Sequence, residues 1–258
     1  MNAPPKVFLT GASSGLGAAL ARHYAAQGAT LGLVARRETE LAALAASLAP
    51  AKATICAADV RDAAAMTRAG ADFVARFGAP DVVIGNAGIS RGTLTEHAED
   101  LPAFRSVLET NVLGLVHTFH PFIAAMTAAG GGALVGIASV AGFRGLPGSG
   151  AYCASKSAAI TYLESLRVEL RARGVAVLTI CPGFIATPLT ARNPYRMPFL
   201  IQADEAARQI ARAIERRQRF RVVPPGMAAL SVLLRALPRP LYDRVMQNRK
   251  RKPRDNKT

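Results

Sequence analysis

Four polar residues of this 258-residue chain could together move a proton to or from a carbonyl oxygen. Tyr152 and Lys156 stand four residues apart in a helical pattern, so both lie on one face of that helix. A phenol is a poor base near neutral pH, but a nearby ammonium group stabilises the phenolate and lowers the phenol's pKa. Ser139 could hydrogen-bond the same oxygen, and Asn111 could hold a water molecule for proton relay. The set predicts general acid–base chemistry at a carbonyl or an alcohol.

A glycine-rich turn between the first predicted strand and the first predicted helix is suited to binding phosphate. The segment Thr10-Gly11-Ala-Ser-Ser-Gly15-Leu-Gly17 lets the backbone turn tightly, and the helix N-terminus after it presents free N–H groups. Its spacing is Gly-x-x-x-Gly-x-Gly, not the common Gly-x-Gly-x-x-Gly, so the turn alone is a weak indication. Its position between a strand and a helix favours a dinucleotide pyrophosphate site.

The end of the second predicted strand distinguishes between the two nicotinamide dinucleotides. NAD-binding proteins use an acidic residue about 20 residues after the glycines to bind the adenine ribose. This chain has Arg36 and Arg37 there, and Glu38 follows too late. Two guanidinium groups can bind a 2′-phosphate through paired hydrogen bonds. A solvated helix start is the other interpretation, but basic residues are disfavoured at a helix N-terminus. The pattern therefore predicts NADP(H).

Alternating strands and helices must position these residues. Seven short apolar runs predict strands: Lys6–Thr10, Thr30–Ala35, Ala53–Ala57, Asp81–Gly85, Ala133–Ala138, Val175–Ile180 and Phe220–Val223. Alanine-rich segments between them predict helices: Gly15–Gln27, Thr39–Leu48, Ala63–Phe77, Leu101–Ala129, Tyr152–Arg173 and Asp204–Arg217. Strands that are apolar on both faces suit a parallel sheet covered by helices on both sides. The order predicts a single doubly wound, Rossmann-like α/β domain over residues 1–225, with a helical basic extension over 226–258.

Composition excludes several classes of protein. Half of the residues are hydrophobic, so the chain can bury a sizeable core and is not disordered. Three widely separated cysteines, Cys56, Cys153 and Cys181, predict neither a disulfide framework nor a cysteine zinc site and suit a reducing compartment. His117 and His120 share a helix face without a third ligand, so no metal site is predicted.

Two apolar stretches could be mistaken for membrane-directed segments. The first follows the N-terminus and is interrupted by Gly11, Ser13, Ser14 and Gly15, which fit a strand–turn–helix better than a secretory signal. The second, Thr110–Phe143, has no charged residue, but prolines, glycines and polar residues divide it into a helix, a turn and a strand. We therefore expect a cytoplasmic protein, which can also lie peripherally at a membrane surface.

The positive charge is concentrated near the C-terminus. Residues 1–191 hold 15 basic and 12 acidic groups, whereas residues 192–258 hold 17 basic and 5 acidic groups. Apolar residues alternate with arginines in the extension, which ends in a polybasic tail. Its helices are expected to dock on the catalytic domain, with the last ten residues mobile and weakly attracted to anionic surfaces. Attachment of the basic amphipathic extension to an anionic membrane surface is one alternative. Nonspecific, salt-sensitive attraction to nucleic acid is another. The extension lacks the interleaved aromatic residues that would indicate specific nucleic-acid binding.

Taken together, these motifs resemble the short-chain dehydrogenase/reductase family, in its NADP(H)-preferring branch with subunits of about 250 residues. The segments that carry the resemblance are Thr10–Gly17, Asp59-Val60, Asn86-Ala87-Gly88, Asn111, Ser139, Tyr152-Cys-Ala-Ser-Lys156 and Pro182-Gly183-Phe-Ile-Ala-Thr187. They occur in the family's order and spacing over residues 6–223, and only the tail is unmatched.

The resemblance implies a role for each matched position. Tyr152 would be the general acid or base, Lys156 its partner and a ribose ligand, Ser139 the substrate-oxygen donor and Asn111 the relay residue. The residues implied in cofactor binding are Gly11, Ser13, Ser14, Gly15, Leu16, Gly17, Arg36, Arg37, Asp59, Val60, Asn86, Ala87, Gly88, Tyr152, Lys156, Pro182, Gly183, Ile185 and Thr187. The family also implies a homodimer or homotetramer that pairs through Leu101–Ala129 and Tyr152–Arg173.

The leading hypothesis is an NADP(H)-dependent oxidoreductase that transfers hydride between the nicotinamide and a carbonyl or secondary alcohol. Apolar residues are expected around the substrate, which favours an apolar or aromatic compound. The residues expected to line the substrate site are Phe143, Arg144, Leu146 and Pro147 after Ser139, with Tyr195, Met197, Phe199 and Leu200 in the lid over 188–203. A 3-oxoacyl-thioester reductase stays open, because Arg192 and Arg196 could meet an acidic partner. An NADPH-binding sensor with little turnover is the alternative from another class.

Overall fold

Seven strands form one parallel sheet in the computed structural model, which describes residues 4–191 and 193–254. The strands of the chain are β1 (Lys6–Thr10), β2 (Thr30–Ala35), β3 (Ala53–Ala57), β4 (Val82–Gly85), β5 (Gly132–Ile137), β6 (Val175–Pro182), β7 (Ile185–Ala186), β8 (Ile201–Gln202) and β9 (Phe220–Val223). The sheet order is β3-β2-β1-β4-β5-β6-β9, while β7 and β8 form a small separate pair. The order reverses between β1 and β4, which opens a crevice at the carboxyl ends of the strands.

Helices cover both faces of the sheet, as predicted for a doubly wound fold. They are α1 (Gly15–Ala25), α2 (Glu38–Ser47), α3 (Ala63–Phe77), α4 (Leu101–Leu108), α5 (Gly114–Ala128), α6 (Gly150–Glu169), α7 (Ala203–Glu215), α8 (Pro225–Ala236) and α9 (Arg239–Met246). One buried cluster joins the sheet to α1, α2 and α7, and a second joins it to α3, α5 and α6. The rings of Phe8 and Phe122 in the second cluster have centroids 4.6 Å apart. The fold class predicted from the sequence is confirmed.

The predicted single helix over residues 101–129 needs a correction. A π-helical turn, Glu109–Leu113, separates α4 from α5. Such a turn inserts one extra residue into the helical repeat, which the apolar pattern does not reveal. The turn contains Asn111, one of the predicted site residues.

The C-terminal extension docks on the catalytic domain through α8 and α9, as expected. The Nη1 atom of Arg144 donates hydrogen bonds to the carbonyl oxygens of Leu234, Arg235 and Leu237 at 3.2, 3.3 and 3.0 Å. These bonds satisfy carbonyl groups at the C-terminus of α8 that have no partner within the helix. The same guanidinium lies 4.0 Å from the ring centroid of Tyr242 on α9. Arg144 therefore fastens both helices to the loop after β5.

The expectation of a mobile tail is wrong for its first residues, 249–254, while residues 255–258 lie outside the described part of the chain. Lys252 Nζ donates to Ser90 Oγ at 2.8 Å, and Arg254 Nε donates to Asp100 Oδ2 at 2.8 Å. Asp100 is buried, and its hydrogen bond with Arg254 holds the pKa of its carboxyl below its usual range. A buried carboxylate needs a partner, which explains why this basic tail is bound.

None of the helices in residues 4–191 and 193–254 combines the length and the apolar character that crossing a bilayer requires.

Candidate active site

The glycine-rich turn after β1 has a backbone that side chains would obstruct. Gly11 and Gly15 have φ angles of +67° and +55°, in the left-handed region that favours glycine. A Cβ on Gly17 would overlap the carbonyl oxygen of Gly11, and a Cβ on Gly11 would lie 2.8 Å from Ala87 Cα. The turn therefore packs backbone against backbone beside the N-terminus of α1. An anion such as a pyrophosphate could approach the N–H groups of this turn closely.

The end of β4 is joined to the glycine-rich turn by side-chain hydrogen bonds. Asn86 Nδ2 donates to the carbonyl oxygens of Thr10 and Gly11 at 3.1 and 3.2 Å. Thr10 Oγ1 accepts from the backbone N–H groups of Asn86 and Ala87 at 3.2 and 3.3 Å. Asn86 thus fixes the crevice between β1 and β4, where the strand order reverses.

A cavity of about 550 Å³ occupies this crevice and brings all the predicted cofactor residues together. Its walls also contain Pro188, Leu189 and Thr190 of the predicted lid. Residues that the sequence did not single out line it too: Ala35, Ala58, Ile89, Thr110, Ile137 and Ala138. Most of these wall residues are next in sequence to predicted residues at the strand ends. That adjacency is the signal that could have identified them. The volume lies within the usual range for small-molecule sites. Together with the unobstructed glycine backbone, it fits a dinucleotide.

The two arginines after β2 lie at the cavity wall. Arg37 Nη2 donates to Ser13 Oγ at 3.1 Å, and Arg37 Nη1 lies 3.1 Å from Glu40 Oε1. Arg37 is therefore positioned over the phosphate turn, while Arg36 is exposed beside it. A 2′-phosphate placed between them could accept hydrogen bonds from both.

Asp59 and Val60 follow β3 and line the same cavity. The Asp59 carboxylate accepts hydrogen bonds from Arg61 Nε and Nη2 at 3.0 and 2.7 Å, which hold the pKa of Asp59 below its usual value. The carbonyl oxygen of Val60 lies 2.8 Å from His117 Nδ1. His117 therefore makes a polar contact that fixes the loop after β3.

Tyr152 and Ser139 come together at the carboxyl end of the sheet. Ser139 follows β5 and is buried, and its Oγ accepts from Ala141 N–H at 3.1 Å and donates to the Pro182 carbonyl at 3.4 Å. Tyr152 lies in the first turn of α6 and is hydrogen-bonded to Ser139. The predicted proton donor and the predicted oxygen ligand are thus neighbours.

The ionisation of Tyr152 differs from the sequence-based expectation. Burial raises the pKa of Tyr152 to about 12, and the hydrogen bond with Ser139 lowers it only in part. Lys156 Nζ lies 5.8 Å from the centroid of the Tyr152 ring and donates to the Ile137 carbonyl at 2.8 Å. Burial also lowers the pKa of Lys156 to about 8. Burial thus sets the pKa of Tyr152 in this structure, and the lowering of that pKa expected from Lys156 is not seen.

Asn111 is held within the fold by its side chain. Its Oδ1 accepts from Ile89 N–H at 2.8 Å, and its Nδ2 donates to the Ile89 carbonyl at 2.9 Å and to Ser155 Oγ at 2.8 Å. Asn111 is buried, and its neighbour Thr110, not Asn111 itself, lines the cavity. This geometry positions the segment after β4 against α6. The relay role of Asn111 stays a prediction.

A second cavity, of about 230 Å³, adjoins the first. Five residues line both cavities: Ser139, Tyr152, Gly183, Leu189 and Thr190. The expected substrate residues Phe143, Arg144, Leu146, Pro147 and Tyr195 line the smaller one. Met197, Phe199 and Leu200 do not line it, and Phe199 and Leu200 are exposed; Arg192 lies outside the described residues. Residues of α8, α9 and the tail complete the wall, whereas the sequence analysis predicted only that these helices dock on the catalytic domain.

Comparison with known proteins decides the family. The family model for short chain dehydrogenases matches residues 5–196. The chain belongs to the short-chain dehydrogenase/reductase family. A curated relative, an uncharacterized oxidoreductase of Myxococcus xanthus, is 38% identical over 240 residues, which are 92% of this chain and 94% of the relative.

Solved structures agree with this assignment to the short-chain dehydrogenase/reductases. A family member from Burkholderia phymatum in complex with NAD has a TM-score of 0.81 and 26% identity, covering 96% of this chain and 97% of the other. An alcohol dehydrogenase from Thermococcus sibiricus, complexed with 5-hydroxy-NADP, has a TM-score of 0.77 and 25% identity, covering 85% and 95%. The chain is an oxidoreductase that acts on CH–OH groups, with a fold that binds a nicotinamide cofactor.

Proposed function

We propose that this short-chain dehydrogenase/reductase uses NADP(H) to interconvert an apolar or aromatic carbonyl compound and its secondary alcohol. The observation that carries the proposal is the shared wall of the two cavities. Tyr152 and Ser139 face both the larger cavity, which fits a dinucleotide, and the smaller, largely apolar one. A carbonyl group in the smaller cavity would lie beside a proton donor and a hydroxyl group at the point where the two cavities meet.

In the reductive direction, each residue of this set has a distinct task. Ser139 Oγ–H donates a hydrogen bond to the carbonyl oxygen, and the Tyr152 hydroxyl transfers its proton to that oxygen as negative charge develops. Lys156 keeps a positive charge beside Tyr152 and stabilises the phenolate that the transfer leaves. When bound, the nicotinamide supplies a hydride to the carbonyl carbon, or accepts one from the alcohol carbon in the reverse direction. Asn111 positions the segment after β4.

The ionisation of Tyr152 suits a proton donor at neutral pH. With its pKa raised to about 12, the phenol keeps its proton and can act as a donor. Alcohol oxidation needs the phenolate, which is a minor species at that pH.

The preference for NADP(H) is supported by the two arginines at the cavity wall. NADPH should bind at least tenfold more tightly than NADH, a difference of about 1.4 kcal/mol, because the 2′-phosphate gains charge-assisted hydrogen bonds. A titration by cofactor fluorescence measures both affinities, and the substitution Arg36→Asp should narrow the difference. Arg68→Asp makes the same charge change on the exposed surface of α3 and should leave the preference intact. Equal affinities for NADPH and NADH would contradict the proposed preference for NADP(H).

A substrate panel tests the reaction itself. NADPH oxidation should be faster with medium-chain and aryl ketones than with sugars, since the smaller cavity is walled mainly by apolar side chains. A 3-oxoacyl thioester belongs in the panel, because a reductase of such thioesters is the nearest alternative reaction. Tight NADPH binding without oxidation by any carbonyl compound would instead favour a sensor.

Assembly into a homodimer or homotetramer is proposed through α4, α5 and α6. Leu101, Leu113 and Val168 on or between these helices are each exposed by half or more in the single chain. Burying such apolar side chains against a second copy is favourable. Light scattering at micromolar concentration should give a multiple of the 27.1 kDa chain mass, and a monomeric mass would refute the pairing.

A weak contact with anionic membrane surfaces is proposed for the exposed side of the extension. Val232 and Leu233 on α8 are 68% and 62% exposed, and Arg235, Arg239 and Arg244 lie nearby in the sequence. Apolar and basic side chains in this combination suit an anionic surface. Co-sedimentation with anionic vesicles should be weak and abolished by salt. Binding to neutral vesicles, or binding that survives salt, would contradict docking of the extension on the protein.

A further inference from the structure

We infer that the substrate carries an anionic group in addition to its carbonyl, and that the C-terminal tail binds this group at the smaller cavity. The inference rests on the proposed function and names its substrate class: an aliphatic ketone, or its alcohol, with a carboxylate or phosphate group. It depends on residues of the extension, which lies beyond the segments that carry the family motifs.

The body of the smaller cavity is suited to an aliphatic chain. Its apolar wall consists of Val140, Ala141, Phe143, Leu146, Pro147, Phe184, Leu189, Tyr195, Pro198, Met227, Leu230, Leu234, Tyr242, Val245 and Met246. Apolar surface of this kind binds a hydrocarbon chain by removing both from water. The volume of about 230 Å³ suits a ligand of medium chain length better than a sterol-sized one.

Basic residues continue the face of α9 that lines this cavity. Tyr242, Val245, Met246 and Arg249 all line it and are spaced as i, i+3, i+4 and i+7, which places them on one side of a helix. The helix ends at Met246, but Arg249 N–H donates to the Met246 carbonyl at 3.1 Å and extends the turn. The apolar face of α9 therefore leads directly into a guanidinium group, and Lys250 lines the cavity beside it.

The tail then crosses to the segment that follows β4. Lys252 also lines the cavity and donates from Nζ to Ser90 Oγ at 2.8 Å. Arg254 fixes the next turn of chain through Asp100, at 2.8 Å. These two contacts hold the tail against the segment between β4 and α4, and its residues Arg249, Lys250 and Lys252 are part of the cavity wall.

The charged side chains that line this cavity are all basic among the residues that the structure describes. Its lining contains Arg144, Arg249, Lys250 and Lys252, and no aspartate or glutamate from residues 4–191 and 193–254. Arg144 is used by the carbonyl groups of α8 and by the Tyr242 ring. Arg249 and Lys250 make no ion pair with a carboxylate in these ranges. A neutral ketone has no group that can form an ion pair with these two cations, whereas a substrate with an anionic group can pair with them.

The test compares two ketones that differ only in charge, 9-oxodecanoate and its neutral primary amide, 9-oxodecanamide. Calorimetry measures the affinity of the protein for each, and NADPH oxidation measures kcat and KM. We expect the acid to bind about tenfold more tightly than the amide, at about threefold for each partly exposed cation. Because the anion contacts groups that take no part in the chemistry, the preference should appear in KM more than in kcat.

Matched variants locate the effect. Lys250→Gln should weaken binding of the acid about threefold and leave the amide unchanged, and Lys250→Arg should restore it. Arg249→Gln should behave in the same way as Lys250→Gln. Arg239→Gln removes the same charge from the exposed start of α9, outside the cavity wall, and should change neither ligand's affinity.

The outcomes separate this inference from the proposed function. Equal affinities and equal KM values for acid and amide would overturn the inference while ketone reduction stands. Preferential binding of the acid without turnover of either ketone would support the anion site and overturn the proposed reaction. An acid preference that Arg239→Gln reduces as much as Lys250→Gln does would mean a general charge effect, and would also overturn the inference.

Discussion

The buried ammonium group of Lys156 makes cofactor use sensitive to pH just above neutrality. Burial lowers the pKa of Lys156 to about 8. The side chain is therefore charged in about ten of eleven molecules at one pH unit below its pKa, and in about one of eleven at one unit above. Raising the pH from about 7 to about 9 should therefore lower kcat/KM for NADPH about tenfold. Tyr152, with its pKa raised to about 12, stays protonated throughout this range and does not contribute to the decline.

The assay is the initial rate of ketone reduction at limiting NADPH, because kcat/KM for the first ligand reports ionisation of the free enzyme. Lys156→Arg provides the matched variant, since a guanidinium group keeps its charge over the whole range. The variant should be slower than the native enzyme but should show no decline between pH 7 and 9. A flat profile for the native enzyme would refute the reasoning, and so would an equal decline in the arginine variant.

Further predictions concern the phosphate turn and the tail. Gly17→Ala should destabilise the fold by about 1–3 kcal/mol and abolish tight NADPH binding, because its Cβ would overlap the Gly11 carbonyl oxygen. Thermal unfolding and cofactor titration measure the two effects. Gly145→Ala is the control in both, because its Cβ would meet no atom within 4 Å. Arg254→Gln should release the tail and speed its removal by limited proteolysis at neutral pH, because the variant loses the hydrogen bond to Asp100. Since that contact lowers the pKa of Asp100, its contribution is present above the carboxyl's ordinary pKa and is lost as the pH falls through the lowered value, so native and variant tails should become equally sensitive in acid.

The sheet could be predicted from the sequence almost residue by residue. Strands such as Lys6–Thr10 and Ala53–Ala57 begin and end where predicted, because parallel strands buried on both faces appear as short apolar runs between turn residues. Helix ends shifted by a few residues, as fraying ends usually do. The π turn at Glu109–Leu113 left no mark in the apolar periodicity and was missed.

That the predicted cofactor residues line one cavity could likewise be predicted from the sequence, because they follow directly after strands that a parallel sheet aligns. The ionisation of Tyr152 and Lys156 could not be predicted, since it depends on burial in the folded chain, which raises the pKa of Tyr152 and lowers that of Lys156. The position of the tail also depends on long-range contacts. Nothing near Arg254 in the sequence indicates that a buried carboxylate at Asp100, 154 residues away, accepts its hydrogen bond.

The central claim is that the Tyr152 hydroxyl supplies the proton in carbonyl reduction, and Tyr152→Phe tests it most directly. This substitution removes only the hydroxyl group and its hydrogen bond to Ser139, while the ring can still fill its place on α6. Measured with the best ketone of the panel, kcat should fall about 10²- to 10⁴-fold, the usual contribution of a positioned general acid, while the affinity for NADPH stays within about twofold. Turnover near that of the native enzyme, with NADPH still bound, would contradict the account.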